Sequence, residues 1–348
     1  LDVSGEDEWQ ASIQSAHRKD EWNQLAALQK ERRELKGVFL PIMKSRGEPA
    51  RRTTRMFRRG NFLDRGDMVR PGTPATLAGG HQQTEDVELT RLDMAEWLVS
   101  PNNPLTSRVL VNRLWAELFG VGIVSTLEDF GTTGEPPSHP QLLDFLALQL
   151  QGEYQWRLKP LLRQFVLSAT YRQTNRVASE SYRNDPRNRL LSRGPRTRLT
   201  AEMVRDQALL VSGLLNRTLG GPSVMPPQPD GVWQTVYSGA QWKTATGDNR
   251  YRRGLYTYWK RTSPYPSFLT FDAPSRDICT ARRIPTNTPL QALVTLNDIV
   301  FTECSTALAK RAQKEGGSTP EQWIRWTYNT VTQHEPSAAN VQHLIDLY

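Results

Sequence analysis

From residue 89 onward, apolar residues return every three or four positions, the spacing that gathers them on one face of an α-helix. The stretch Leu89–Val99 carries Leu92, Ala95, Trp97 and Leu98 and is followed by Pro101. Thr106–Phe119 carries Val109, Leu110, Leu114, Trp115 and Leu118 and runs into Gly120, a residue suited to a left-handed helix end. The same pattern predicts helices over 141–150, 159–169, 201–215, 289–296, 298–313, 320–331 and 337–348. Upstream, residues 20–36 are rich in charge, with Trp22, Leu25, Leu28 and Leu35 near helical spacing. That predicts one exposed amphipathic helix, ended by Gly37 and Pro41. Composition then shifts to Arg, Gly and Pro, with short strands expected within Thr54–Gly60 and Asp67–Val69. Alternation and aromatic content predict a further strand over Gly254–Lys260, and the Pro/Gly-rich run Gly220–Asn249 reads as a long loop on the surface or over a site. The expected fold is mainly α, an irregular multi-helix domain with a minor β element and long Pro/Gly-rich loops. Residues 1–36 read as the helical tail of a preceding domain, 37–88 as a connecting segment and 89–348 as the helical domain.

The length of 348 residues allows one large domain or two smaller ones and a sizeable core. Mean hydropathy of -0.59 argues against a membrane-embedded chain. The longest apolar runs, such as Leu142–Leu150, fall far short of a bilayer span. Ten Trp residues argue for a folded chain. The net charge is +8, carried by 35 Arg against 9 Lys. Arg presents a planar fork for carboxylate, sulfate or phosphate, but many of these residues are accounted for by a solvated face. A pI of 9.6 raises nucleic-acid binding, yet no nucleic-acid motif is present and the basic residues are spread along the whole chain. Cys279 and Cys304 set no disulfide framework, and there is no CxxC or CxxCH, hence no covalent haem attachment in this segment. Five scattered His, without HExxH or a close pair, give no zinc signature, so neither a metal nor another cofactor is expected here.

Four constellations could carry chemistry. In Asn112–Gly120, Trp115 and Phe119 lie four apart and share a face. Arg113 is one position off that stripe, either a substrate-binding cation or an Arg that satisfies a helix end or a buried carboxylate. Glu128–Gly131 and Pro137–Pro140 bring Asp129 and His139 into one loop region as candidate acid, base or ligand. Ser138 could equally cap a helix from Pro140. Tyr251–Arg261 and Phe271–Cys279 interleave rings and cations. There Arg252, Arg253 and Arg276 are candidates to hold an anionic group and Asp272 to handle protons; a strand with rings inside and cations outside is the structural reading. Finally, Arg282–Arg283 precede Thr286–Leu293. Arg283 is a further anion-binding candidate, while Thr286 or Asn287 can cap the next helix and Asn297–Asp298 can end that helix or cap the one after.

Several stretches, in one order, resemble a known bacterial family. They are Ser100–Thr106 running into Val111–Trp115, Asp129–Gly131, Pro137–Pro140, Ser168–Gln173, Arg198–Glu202 with Arg205–Asp206, Gly220–Val224, Tyr251–Tyr256 and Thr286–Leu293. The family is the planctomycete cytochrome-c-associated domain of unknown function 1553, and the likeness spans roughly residue 89 to the end. The upstream Arg59–Phe62 with Gly66 is similar to the segment that usually precedes this domain. The resemblance implies a large exported protein, placed extracytoplasmically in the periplasm or at the cell surface. It implies haem c in an upstream cytochrome-c-like domain and a loose link to breakdown of complex polysaccharide, with no assigned catalytic residue. Cys304 stands where a small residue is more usual, which argues against a Cys279–Cys304 disulfide. The chain starts at Leu1 and stops at Tyr348 within a helical pattern, so it reads as an internal piece of a longer polypeptide. Two functions follow as expectations. One is a module acting in extracytoplasmic redox chemistry or in degradation of acidic polysaccharide. The other is a non-enzymatic scaffold or binding module that docks the haem domain or a glycan. Burial discriminates them: Arg and Asp paired in the interior favour the scaffold, and the same groups lining an open cleft favour a site.

Overall fold

The computed structural model describes residues 19–35, 40–44, 46, 50, 52–77, 89–233, 239 and 241–348. The chain falls into two compact units, Leu1–Arg70 and Pro71–Tyr348. In the first unit, helix α1 (Lys19–Glu34) opens with Asp20 and Glu21 and closes with Arg32 and Arg33, charges that suit the two ends of its dipole. Strands β1 (Arg55–Phe57) and β2 (Arg65–Met68) follow as an antiparallel hairpin, with Arg55 opposite Met68 and Phe57 opposite Arg65. The short strands expected on either side of glycine turns are therefore present. Both strands are largely exposed.

The second unit is helical. Its elements are α2 (Arg91–Val99), α3 (Thr106–Phe119), α4 (Pro140–Gln151), α5 (Leu158–Leu167), α6 (Ser179–Asn184), α7 (Ala201–Ser212), α8 (Pro266–Thr270), α9 (Pro289–Asn297), α10 (Ile299–Glu315), α11 (Pro320–Thr332) and α12 (Ala338–Leu347). The mainly α expectation is met, and no single helix among the described residues is long and apolar enough to cross a membrane. Helix starts follow local chemistry. Thr90 with Asp93 and Thr319 with Gln322 form capping boxes, and Thr200, Asp298 and Ser337 cap α7, α10 and α12 through their side chains. Gly120 and Gly213 end α3 and α7 in the left-handed conformation at φ of 81° and 80°.

The principal core joins α3, α4 and α5. Val111, Trp115, Phe119, Leu143, Leu146, Leu150, Leu161 and Phe165 are buried together. As the four-residue spacing requires, Trp115 and Phe119 stack, with ring centroids 3.9 Å apart and planes 11° apart. Asn112, 1% exposed, closes this core from one side. Its amide donates to Val124 O and accepts from Val124 N, both at 2.9 Å. The chain can come this close because residue 122 is Gly: a Cβ there would lie 2.9 Å from both polar atoms of the Asn112 amide. Two smaller clusters form around Tyr265 and Phe268, and around Leu209, Val300 and Cys304.

Three local expectations are corrected. Gly254–Lys260 is not a strand: Gly254–Tyr256 forms a 3₁₀ turn, and among the described residues the strand-like bonds of the segment are confined to Val224, which donates to Tyr256 O and accepts from Tyr258 N. Val224 is flanked by Pro222, Pro226 and Pro227, which bring no N–H to extend a ladder. Ser138 does not cap α4. Its hydroxyl donates to Ile123 O, and His139 occupies the cap position without a side-chain bond. Neither Thr286 nor Asn287 caps α9; Thr288 holds that position, again without a side-chain bond. The described part of the Pro/Gly-rich run is more than a surface loop, since Val224, Pro226 and Trp233 are buried. Cys279 is exposed and Cys304 buried, and both are free thiols.

Candidate functional site

A polar network forms where α7, the segment after α8 and the start of α9 meet. The left-handed turn at Asp272, φ 60°, points its carboxylate back to the chain. There it accepts from Thr286 N at 2.6 Å and from the Thr286 hydroxyl at 2.8 Å. Gln291, 3% exposed, donates to Thr270 O at 3.0 Å and accepts from Arg198 at 2.6 Å. The Thr-Asn-Thr-Pro motif is thus tied through Asp272 rather than used as a helix cap. One step along the chain, Arg283 grips Glu202 with both guanidinium arms, at 2.5 and 3.0 Å. Arg282 reaches Glu128 at 3.0 Å, joining the loop that holds Asp129 to this segment.

Burial alone would push the Glu202 carboxyl up. The hydrogen bonds from Arg283 and from its own backbone, with the Arg283 charge, outweigh that and hold it below the ordinary carboxylate range. Because the folded value lies below the unfolded 4.5, the pair's contribution is full above about pH 4.5 and is lost as pH falls through the folded value. Glu202→Gln is therefore expected to lower the urea midpoint at neutral pH. The gap between variant and parent should narrow steadily below about pH 4.5. A gap independent of pH would show that Glu202 acts through packing and not through its charge.

The remaining candidates occupy separate places. Arg252, 3% exposed, donates to Pro222 O at 3.0 Å, to Thr218 O at 3.1 Å and to Gly220 O. Its guanidinium lies 3.7 Å from the centroid of the Tyr256 ring. Arg253 pairs with Asp206 at 2.8 Å, and the same carboxylate accepts from Gly254 N at 2.6 Å. Arg276 lies over the Trp259 ring at 4.6 Å. Asp129 is held below its usual pKa, first by the Thr133 hydroxyl and then by Gly131 N, so it is an anion that ties its own turn. Arg113 is exposed and makes no hydrogen bond or ion pair among the described residues, so it satisfies neither a helix end nor a buried carboxylate there. No hydrogen bond joins Asp129, His139 and Asp272 to one another among the described residues.

His139 lies at a pocket also lined by Trp115, Phe119, Ser138, Arg187, Asn188 and Arg189. A second pocket, with about 10 Å³ of room for a water-sized group, is lined by Arg205, Tyr265, Ser267, Phe271, Asp298 and Phe301. Burial pushes the Tyr265 phenol up to about 12, so it stays protonated, and it donates to Pro227 O at 2.8 Å. Sequence reasoning did not single out Arg187, Asn188, Arg189, Ser267 or Tyr265. The only signal for the first three was the turn-forming run Asn184-Asp185-Pro186 just before them. Among the described residues no group of three His, Cys, Asp or Glu is placed to hold a metal ion.

No curated protein matches the chain, and no solved structure matches it. One family does: PSD1, described as protein of unknown function (DUF1553), over residues 90–348. That interval takes in α2 to α12, the principal core, the Arg283–Glu202 pair and the His139 pocket, and so the chain belongs to the PSD1 (DUF1553) family of proteins of unknown function.

Proposed function

We propose that this chain is a non-enzymatic scaffold or docking module of an exported, cytochrome-c-linked polypeptide, seated against its haem domain. What supports the reading is that Arg252, Arg253, Arg276 and Arg283 are all engaged by their own chain. A guanidinium taken up by carbonyls, as in Arg252, or by a carboxylate, as in Arg253 and Arg283, holds segments of its own chain together, while Arg276 lies over the Trp259 ring. Asp129 and Asp272 likewise spend their oxygens on neighbouring backbone and hydroxyl groups. The planctomycete setting, the extracytoplasmic compartment and the haem partner rest on the motif resemblance alone.

The competing reading is redox chemistry or degradation of acidic polysaccharide. One observation favours it: His139 sits at a pocket beside two arginines. The test of the docking reading is a cut at a protease site engineered between the haem domain and this module in the parent polypeptide. The module is expected to co-elute with haem absorbance on size exclusion after the cut. Clean separation of the two at moderate salt would sink the docking reading.

A further inference from the structure

Arg252, Arg253, Arg276 and Arg283 are engaged by their own chain, whereas the hairpin of the first unit carries cations that are not. Residues 52–70 hold six Arg against two carboxylates, Asp64 and Asp67, and so carry half of the chain's net charge of +8. All six Arg are exposed. Arg55 donates to Gly66 O at 3.2 Å. Arg52, Arg58, Arg59, Arg65 and Arg70 make no hydrogen bond or ion pair among the described residues. Cations gathered in this way set up a positive potential that an anionic partner lowers.

The same hairpin leaves its apolar side chains in solvent. Phe62 and Leu63, adjacent at the apex, are 65% and 76% exposed, and Met56, Phe57 and Met68 are exposed along the strands. Cross-strand partners share a face, so Phe57 opposite Arg65 and Met68 opposite Arg55 each set an apolar side chain beside a cation. The apex itself is a closed turn. Arg59 and Gly60 bend the chain in the left-handed conformation, at φ of 51° and 75°. Arg58 N donates to Asp64 O at 2.9 Å, Asn61 N to Arg58 O at 3.0 Å and Asp64 N to Asn61 O at 3.1 Å. Leu63 N donates to the Asn61 side chain at 3.0 Å. Amides bonded inside the turn cost less to take out of water, which suits an apex that enters an apolar layer.

We propose that this hairpin seats on an anionic lipid surface. Phe62 and Leu63 enter the boundary between headgroups and acyl chains, and Arg58, Arg59 and Arg65 beside them in the chain meet the lipid phosphates. Charge complementarity selects an anionic partner. The apolar pair at the apex selects a lipid surface, because a dissolved polyanion answers the cations but offers Leu63 no apolar layer. Attachment of this kind grows with the apolar area entered and with the attraction of cations to anionic headgroups, and the hairpin supplies both. The inference concerns the hairpin alone and stands or falls separately from the docking reading, which concerns the helical unit.

The experiment is sedimentation of the whole chain with vesicles of phosphatidylcholine containing about a third phosphatidylglycerol, against vesicles of phosphatidylcholine alone. Heparin and single-stranded DNA serve as soluble polyanions. Binding to the anionic vesicles is expected to be about tenfold or more tighter than to the neutral ones, and to fall as salt is raised. Phe62→Ser with Leu63→Ser is expected to weaken it about tenfold or more while leaving heparin binding unchanged. Arg59→Ala and Arg65→Ala are each expected to weaken it about fivefold. Leu63→Ser alone, at the most exposed apex side chain, is expected to cost about threefold and keeps the test open should the double variant fail to fold. No binding to anionic vesicles, equal binding to neutral ones, or binding unchanged by loss of the apex side chains would each overturn the proposal. The last of these, together with tight binding to heparin or DNA, would reassign the hairpin to a soluble polyanion.

Discussion

Trp115→Ala should lower unfolding free energy by about 3–5 kcal/mol, a large part of the total stability of a typical domain. Trp115 is 5% exposed and sits at the centre of the principal core. Its ring stacks on Phe119 at 3.9 Å and meets the edge of Phe165 at 5.4 Å, so one truncation removes contacts between α3 and α5 as well as along α3. The ring's volume cannot be recovered by small shifts, because Leu150 and Leu161 nearby are already fully buried. Urea denaturation gives the number, with Trp115→Phe as the comparison that keeps the stack and costs clearly less. A loss below about 1 kcal/mol for the alanine variant would mean that the helices close over the gap.

Arg252→Ala is expected to cost about 3 kcal/mol. The guanidinium is buried, has no carboxylate partner within ion-pair range among the described residues and is held by the carbonyls of Thr218, Gly220 and Pro222 over the Tyr256 ring. Removing it leaves three carbonyls without this donor and the ring without its cation. Part of that loss is offset, because a buried charge no longer has to be desolvated. Tyr256 is further bound into the same loop, its hydroxyl accepting from Gly220 N at 2.7 Å. Arg252→Lys should recover only part of the loss, since an ammonium cannot span three acceptors with a planar fork. If the lysine variant matched the parent in denaturant midpoint, charge alone would be holding the loop and the fork would be irrelevant.

The two substitutions separate what was legible in the sequence from what was not. The burial of Trp115 and Phe119 follows from spacing: four positions along a helix is one face, whatever the helix packs against. The Arg252 cage does not follow from spacing. Its acceptors lie 30 to 34 positions away in the chain, in a glycine and proline run that carries no periodic pattern. The same distance in sequence hides Arg283 on Glu202, 81 positions apart, and Arg198 on Gln291, 93 apart. Cys304 shows the other side of this limit. The sequence marked it as unusual, and the fold places it among Leu209 and Val300, where burial pushes its thiol pKa up.

Local chemistry also misled where two residues competed for one role. Ser138 and Thr286 carry hydroxyls at positions where a cap is expected, yet each bonds elsewhere in the fold, to Ile123 O and to Asp272. A hydroxyl's preference for a helix N-terminus is worth about 1 kcal/mol, little enough for a buried tertiary partner to override. Asp298, by contrast, caps the helix after it as the sequence suggests, its carboxylate accepting from Val300 N.

By itself the sequence determined the helical class, the bounds of most helices to within a few residues, the apolar faces and the family. All of these rest on patterns repeated within a turn or two of chain, or on motifs read in order. Only the tertiary structure decided which charges are partners and which stay free. It gave Arg252, Arg253, Arg276 and Arg283 internal partners, left Arg113 without hydrogen bonds or ion pairs among the described residues, set Arg187 and Arg189 in the field of Glu135, and brought the 187–189 loop to His139. The physical reason is that a guanidinium's role is set by whichever acceptor folding brings within about 3 Å, and nothing in the neighbouring sequence encodes that acceptor.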